Sequence, residues 1–131
     1  MVTDRVGDFI IRLKNAGAIG NTVVSVPHSK HLEEIAAKLK SLGFVDRVDV
    51  TKTTPRSTLE VTLAYDAQGM HKIHGVKRVS KPGRRLYVSS TEAHTVKNGL
   101  GAAIISTPRG ILADKEARKV RAGGEALFEI W

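Results

Sequence analysis

Ser29 and Gly43 bracket the segment that most restricts what this chain can become. Between them Leu32, Ile35, Ala36, Leu39 and Leu42 recur at three- and four-residue spacing, so a helix here carries one apolar face, with Ser29 placed to cap it and Gly43 to end it. Such a face must be buried against another element. The flanking sequence supplies strands for the purpose. Thr22 to Val26 is short and β-branched and is closed by Pro27. Phe44 to Val50 alternates. After the polar stretch Thr51 to Thr58, which contains Pro55, Leu59, Val61 and Leu63 alternate with Glu60 and Thr62. An earlier helix starts at Thr3 and Asp4, carries Val6, Phe9, Ile10 and Leu13 on one face, places Arg12 and Lys14 near its end and stops at Gly17. Residues 1–66 therefore read α-β-α-β-β, with both helices on one face of a small sheet.

Around Ala67 to Gly69 long helices disappear and positive charge rises. A boundary there divides the chain into an N-terminal α/β domain, residues 1–66, and a smaller, mainly β domain, residues 67–131, that packs against it. Ile73 to Val79 reads as a strand. Lys81-Pro82-Gly83-Arg84 suits a type II turn, and Arg85 to Val88 returns as the partner strand of a basic-tipped hairpin. A short helical piece spans Glu92 to Lys97, before Asn98 and Gly99. Ala102 to Ser106 is an apolar strand, and Thr107-Pro108-Arg109-Gly110 has Pro second and Gly fourth, as a type I turn prefers, leading into Ile111 and Leu112. Asp114 caps one or two helical turns through Arg118, Gly123 and Gly124 break them, and Ala126, Phe128 and Ile130 alternate in a final strand. The fold class is α+β.

Charge gives the first functional direction. The 131 residues hold 21 Lys and Arg against 13 Asp and Glu, a net charge of +8. Residues 1–66 contribute only +1 of this, and residues 67–131 contribute +7. A basic excess scattered among strands and turns points to a polyanion; a membrane-surface protein concentrates it on one amphipathic helix or in a tail. Apolar runs such as Ala102 to Ile105 fall far short of the roughly 20 residues a spanning helix needs, and the start of the chain lacks a signal-peptide pattern. The expectation is a soluble, cytoplasmic protein with no membrane partner. Zero cysteines exclude disulfides, Cys-based zinc sites, iron–sulfur clusters and thiol nucleophiles.

Catalytic patterns are weak throughout. His28 with His31 and His71 with His74 have ligand-like spacing, but no acidic cluster accompanies either pair, so no metal site is expected. There is no G-x-S-x-G elbow and no Walker-type G-K-[ST], and Gly99-x-Gly101 is half a dinucleotide fingerprint. Asp114 and Glu116 are explained as helix-start residues. Neither an enzyme nor a cofactor is expected. What remains are turns rich in Gly, Ser, Thr and Arg. Their glycines let backbone approach closely, the hydroxyls of Ser106 and Thr107 can meet phosphate or 2′-OH oxygens, and Arg109 can pair with phosphate. Tyr87, beside Arg84 and Arg85, can stack on a base. With only 3 Phe, 2 Tyr and 1 Trp, the chain lacks the platform of a single-strand binder, which favours structured RNA.

The run Ile105-Ser106-Thr107-Pro108-Arg109-Gly110-Ile111-Leu112-Ala113-Asp114-Lys115-Glu116-Ala117-Arg118 followed by Gly123-Gly124-Glu125 resembles the C-terminal signature of the "S-eight" family of bacterial small-subunit ribosomal proteins. Arg78 through Tyr87, the Gly99-Leu100-Gly101 step, and the opening from Thr3-Asp4 to Arg12-Leu13-Lys14-Asn15 are similar to the same family, and the likeness runs essentially end to end. The resemblance implies a two-domain α+β protein that binds the central domain of 16S ribosomal RNA directly, helps assemble the 30S subunit and sits beside neighbouring small-subunit proteins. It implies RNA contacts at Ser106, Thr107, Arg109, Gly110, Gly123, Gly124 and Glu125. Lys81, Arg84, Arg85 and Tyr87 follow as secondary candidates, and Thr3, Asn15, Ser29 and Lys30 in the N-terminal half. The chain departs from many members of the family at Pro108, where a Ser is common, and at Arg5, where Pro is common. Two other readings share these features: a non-ribosomal or messenger-RNA regulator, including one acting on its own mRNA, and a small hydrolase using His94 or His71 as base.

Overall fold

A computed structural model of the chain describes residues 4–52, 57–89 and 101–131. They fall into two compact units, one of Asp8–His74 and the other of residues 4–7 with Gly75–Trp131.

The first unit holds helix α1 (Arg5–Ala18) from Asp8 onward, strand β1 (Val23–Pro27), helix α2 (Lys30–Leu42), and strands β2 (Val45–Lys52) and β3 (Ser57–Leu63). The three strands form an antiparallel sheet in the order β1-β3-β2. Alternation decides its faces: Val24, Val26, Leu59, Val61 and Leu63 all point into the core. On α2, Leu32, Ile35, Ala36 and Leu39 are buried as their spacing requires, and Leu42, the last of the series, is left partly exposed at the helix end. Ser29 caps α2, its Oγ accepting from the Leu32 N–H at 3.1 Å. Ser29→Ala should cost about 1 kcal/mol, read as a lower urea midpoint with an unchanged slope.

The two helices end alike. Gly43 takes φ 90°, its N–H reaching Lys40 O, and Phe44 N–H reaches Leu39 O. For α1 the left-handed residue is Gly20, at φ 79°, with its N–H on Gly17 O and that of Asn21 on Ala16 O. Gly17, expected to stop α1, instead lies within it. Its lack of a side chain serves packing, because an added Cβ would sit 2.6 Å from Nδ1 of His71. The polar stretch expected from Thr51 to Thr58 is also shorter than the spacing suggests, since Thr51 and Lys52 belong to β2 and Ser57 and Thr58 to β3.

The second unit holds strands β4 (Val76–Arg78), β5 (Tyr87–Val88), β6 (Ala102–Thr107) and β7 (Gly110–Ala113), helix α3 (Asp114–Val120) and strand β8 (Gly124–Ile130). Its antiparallel sheet runs β4-β8-β6-β7, with β5 also paired to β8. Ile104, Ile105, Phe128 and Ile130 fill its core, and Ala117 of α3 packs on Ile105 between Val88 and Leu112. No helix among the described residues is long and apolar enough to cross a membrane.

Four expectations for this half are corrected. The strand read over Ile73 to Val79 is only β4, and Ile73 is buried outside it. β4 and β5 are not the two arms of a hairpin. Both lie antiparallel to β8, Arg78 opposite Phe128 and Tyr87 opposite Glu125, with the basic loop leaving the sheet between them. That loop turns at Pro82 and Gly83, with Lys81 and Arg84 exchanging backbone hydrogen bonds, but Gly83 does not take the positive φ a type II turn demands. Finally, α3 is capped by Ala113, whose N–H donates to Glu116 Oε1 at 3.2 Å, and ends at Arg121 with φ 56°, before the two glycines. Asp114 is the first residue of the helix and is buried: Oδ1 accepts from Ala103 N–H at 3.1 Å and Oδ2 from Arg118 at 2.9 Å.

The pairing of β6 with β8 slips by one residue, Ile104 facing Phe128 and Ile105 facing Ala126, so Leu127 is the extra residue of a bulge. Its carbonyl accepts from the N–H groups of Val79 and Ser80 and from Arg78 Nη1 at 3.2 Å. Arg78 also grips Asp4 with two donors, at 2.6 and 3.3 Å, and Asp4 in turn caps the first turn of α1 through Gly7 N–H.

Candidate RNA-binding surface

Pro108 and Arg109 form the tip of the β6–β7 hairpin, with Thr107 opposite Gly110. A proline cannot take positive φ, which bars the mirror-image turns most two-residue hairpins use, and the chain compensates at Gly110, which sits at φ 113°. The Thr107 hydroxyl works inside the turn: it donates to Gly110 O at 2.8 Å and accepts from Arg109 N–H at 3.1 Å. Thr107 is buried, while Pro108 and Arg109 are exposed and Ser106 and Gly110 are half-buried.

The glycine pair is held against this hairpin by an absence of side chains. A Cβ on Gly124 would lie 2.0 Å from the Ser106 carbonyl oxygen and 3.0 Å from Thr107 Cα. One on Gly123 would lie 2.6 Å from Val88 O. Register carries the arrangement further, since Glu125 stands between Ser106 on β6 and Tyr87 on β5. Three segments far apart in sequence, Lys81 to Val88, Ser106 to Gly110 and Gly123 to Glu125, are thus brought to one end of one sheet. Lys81 and Arg84 are exposed there, and Tyr87 keeps 70% of its surface open to solvent.

Glu125 is the acidic member of this basic group. Its Oε2 accepts from Ser80 Oγ at 2.6 Å and from Arg85 Nη1 at 3.0 Å. Burial pushes its carboxyl pKa up, but the Ser80 hydroxyl and the Arg85 guanidinium, with Arg78 farther off, hold it below the usual carboxylate value. Ser80 is not among the binding candidates, because a lone serine beside a basic turn carries no signal until its burial is known.

Three further candidates lie in the other unit. Asn15 is exposed on α1, Lys30 is exposed at the start of α2, and the Ser29 side chain is engaged in its cap. Thr3, His94, Gly99 and the short helix expected over Glu92 to Lys97 fall outside the described residues. Among the described residues no group of three or more His, Asp or Glu could hold a metal ion, and His28 pairs with Glu33 at 2.6 Å.

An α/β unit and a mainly β unit, with exposed basic turns at one end of the second sheet, make this a small α+β protein. The family model for ribosomal protein S8 matches residues 4–131. The chain belongs to that family. It is similar over its whole length to the small ribosomal subunit protein uS8 of Nitratidesulfovibrio vulgaris, 46% identical over 131 residues with 100% of both chains covered. It is likewise similar to the protein of the same name from Pediococcus pentosaceus, 42% identical over 130 residues that cover 99% of this chain and 98% of that one.

Proposed function

We propose that the protein is a structural constituent of the small ribosomal subunit that binds the central domain of 16S ribosomal RNA directly and helps assemble the 30S subunit, with no chemistry of its own. The supporting observation is the convergence of the Ser106–Gly110 hairpin, the Gly123-Gly124-Glu125 step and the Lys81–Tyr87 segment at one end of the second sheet. Arg109, Lys81, Arg84 and Arg85 meet phosphates there. Ser106, with the backbone of Gly110, Gly123 and Gly124, meets 2′-OH and base-edge atoms where no side chain keeps RNA at a distance, and Tyr87 stacks. Thr107 holds the hairpin in shape. In this reading the domain of residues 67–131 carries the RNA, that of residues 1–66 adds contacts through Thr3, Asn15, Ser29 and Lys30, and neighbouring ribosomal proteins of the small subunit are further partners. The protein's own mRNA competes for the surface if it folds into the same shape.

Binding to a 16S central-domain transcript, titrated with salt against scrambled RNA of equal length, tests this. Arg109→Ala should weaken binding and lower the salt slope by about one counterion. Ser106→Ala should lose affinity for the cognate RNA with little change in slope. Parent-like binding by both variants would remove the hairpin from the interface, and parent binding that ignores sequence would reduce the recognition to net charge.

A further inference from the structure

We propose that Ser80 and Glu125 are positioning residues, a clamp at the neck of the basic loop that fixes Arg85 and Tyr87 for RNA, and that the Glu125 carboxylate itself does not touch the RNA. The proposal rests on the reading of this surface as the RNA site.

Ser80 stands where the chain leaves the sheet and is completely buried. A buried hydroxyl must have its bonding capacity met, and here it is met on both sides of the neck. Ser80 Oγ accepts from the Leu86 N–H at 3.0 Å, tying the outgoing arm of the loop to the returning one, and donates to Glu125 Oε2. The same carboxylate oxygen takes Arg85 Nη1 from the returning arm. The backbone repeats the link, because Ala126 N–H donates to Leu86 O at 3.0 Å. One oxygen on β8 therefore joins the residue before the loop to the residue that ends it.

The partners also explain why an acid stands among the bases. The Glu125 side chain is only 19% exposed, whereas that of Arg85 is 50% exposed. A guanidinium has five N–H donors, so Arg85 retains donors for a phosphate after its bond to Glu125. Pairing holds a long, flexible side chain in place before RNA arrives, reducing what must be ordered on binding. Because the carboxyl is held below its usual value, the clamp is intact at neutral and mildly acidic pH and opens only as pH falls through that lowered value.

The sign of one substitution separates the clamp from simple electrostatics. Removing a carboxylate from beside a polyanion should tighten binding; removing a clamp should loosen it. Glu125→Gln, Ser80→Ala and the double variant are compared with the parent in two measurements, Leu86 amide hydrogen exchange in the free protein and affinity for a 16S central-domain transcript against scrambled RNA. The clamp predicts faster Leu86 exchange and roughly fivefold weaker specific binding in each single variant, with the double no worse than the weaker single, because both break one unit. Tighter binding by Glu125→Gln, or unchanged affinity despite faster exchange, overturns the proposal. So does weaker binding with parent-like exchange, which would put the carboxylate on the RNA. Should Ser80→Ala fail to fold, the isosteric Glu125→Gln carries the test alone. A parent that does not prefer the transcript over scrambled RNA fails the surface reading itself, and the positioning role falls with it, while Leu86 exchange still reports whether the neck is clamped.

Discussion

Gly124→Ala should lower the melting temperature by on the order of 10 °C and abolish specific RNA binding together with it. The methyl group would have to occupy a point 2.0 Å from the Ser106 carbonyl oxygen, a contact with backbone on both sides and no flexible side chain to yield. Strands β6 and β8 must separate at this end, which strains the Ser106–Glu125 pairing and the neighbouring hairpin. Overpacking of this kind costs about 3 kcal/mol. Gly83→Ala is the matched control, since Gly83 has no neighbour within 4 Å and no positive φ, and its melting temperature should stay close to the parent's. A Gly124→Ala variant that melts like the parent would mean that the two strands do not approach as described.

The second large effect is expected at Asp114. Its carboxylate is buried at the start of α3, where it accepts the Ala103 N–H from β6 and pairs with Arg118 one turn on. Asp114→Ala strands the Ala103 donor and removes the charge partner, and the expected loss is about 3 kcal/mol. Asp114→Asn keeps an acceptor for Ala103 and should cost roughly half as much, because the backbone donor stays satisfied. Urea unfolding measures both, as a midpoint shift with constant slope. Equal losses for the two would assign the effect to the charge pair alone.

Much of the first unit is legible in the sequence because its signals are local. Ser29, the series Leu32 to Leu39 and Gly43 each act within a turn or two of their neighbours, and Leu59, Val61 and Leu63 alternate without interruption. The errors arise where a long-range contact decides. Gly17 reads as a stop because glycine usually is one; His71, far along the chain, is what excludes a side chain there. The supposed hairpin over Ile73 to Val88 fails for the same reason: β8, far along the chain, takes both arms separately, β4 at Phe128–Ile130 and β5 at Gly124–Glu125. Asp114 looks like a cap because Asp is a good one, and only tertiary structure reveals the Ala103 amide that draws it inward.

The candidate surface divides along the same line. Ser106, Arg109 and the glycine pair could be singled out from composition, turn chemistry and family likeness. That Gly123 and Gly124 lack side chains to admit backbone, and that Glu125 faces Ser80 and Arg85, needed the register of β8. Ser80 gives no periodic or compositional signal, and its part in the site exists only through burial.

Strand order has a consequence for synthesis. β8 is the strand that β4 and β5 pair with and that joins them to β6, and it follows all three in the chain. As the polypeptide emerges from a translating ribosome, residues 8–74 are complete and able to pack while the second sheet still lacks its middle. Three waiting strands then hold open edges and apolar faces until residues 124–130 appear, the condition in which nascent chains associate wrongly. A nascent copy is therefore vulnerable until residues 124–130 have joined the sheet.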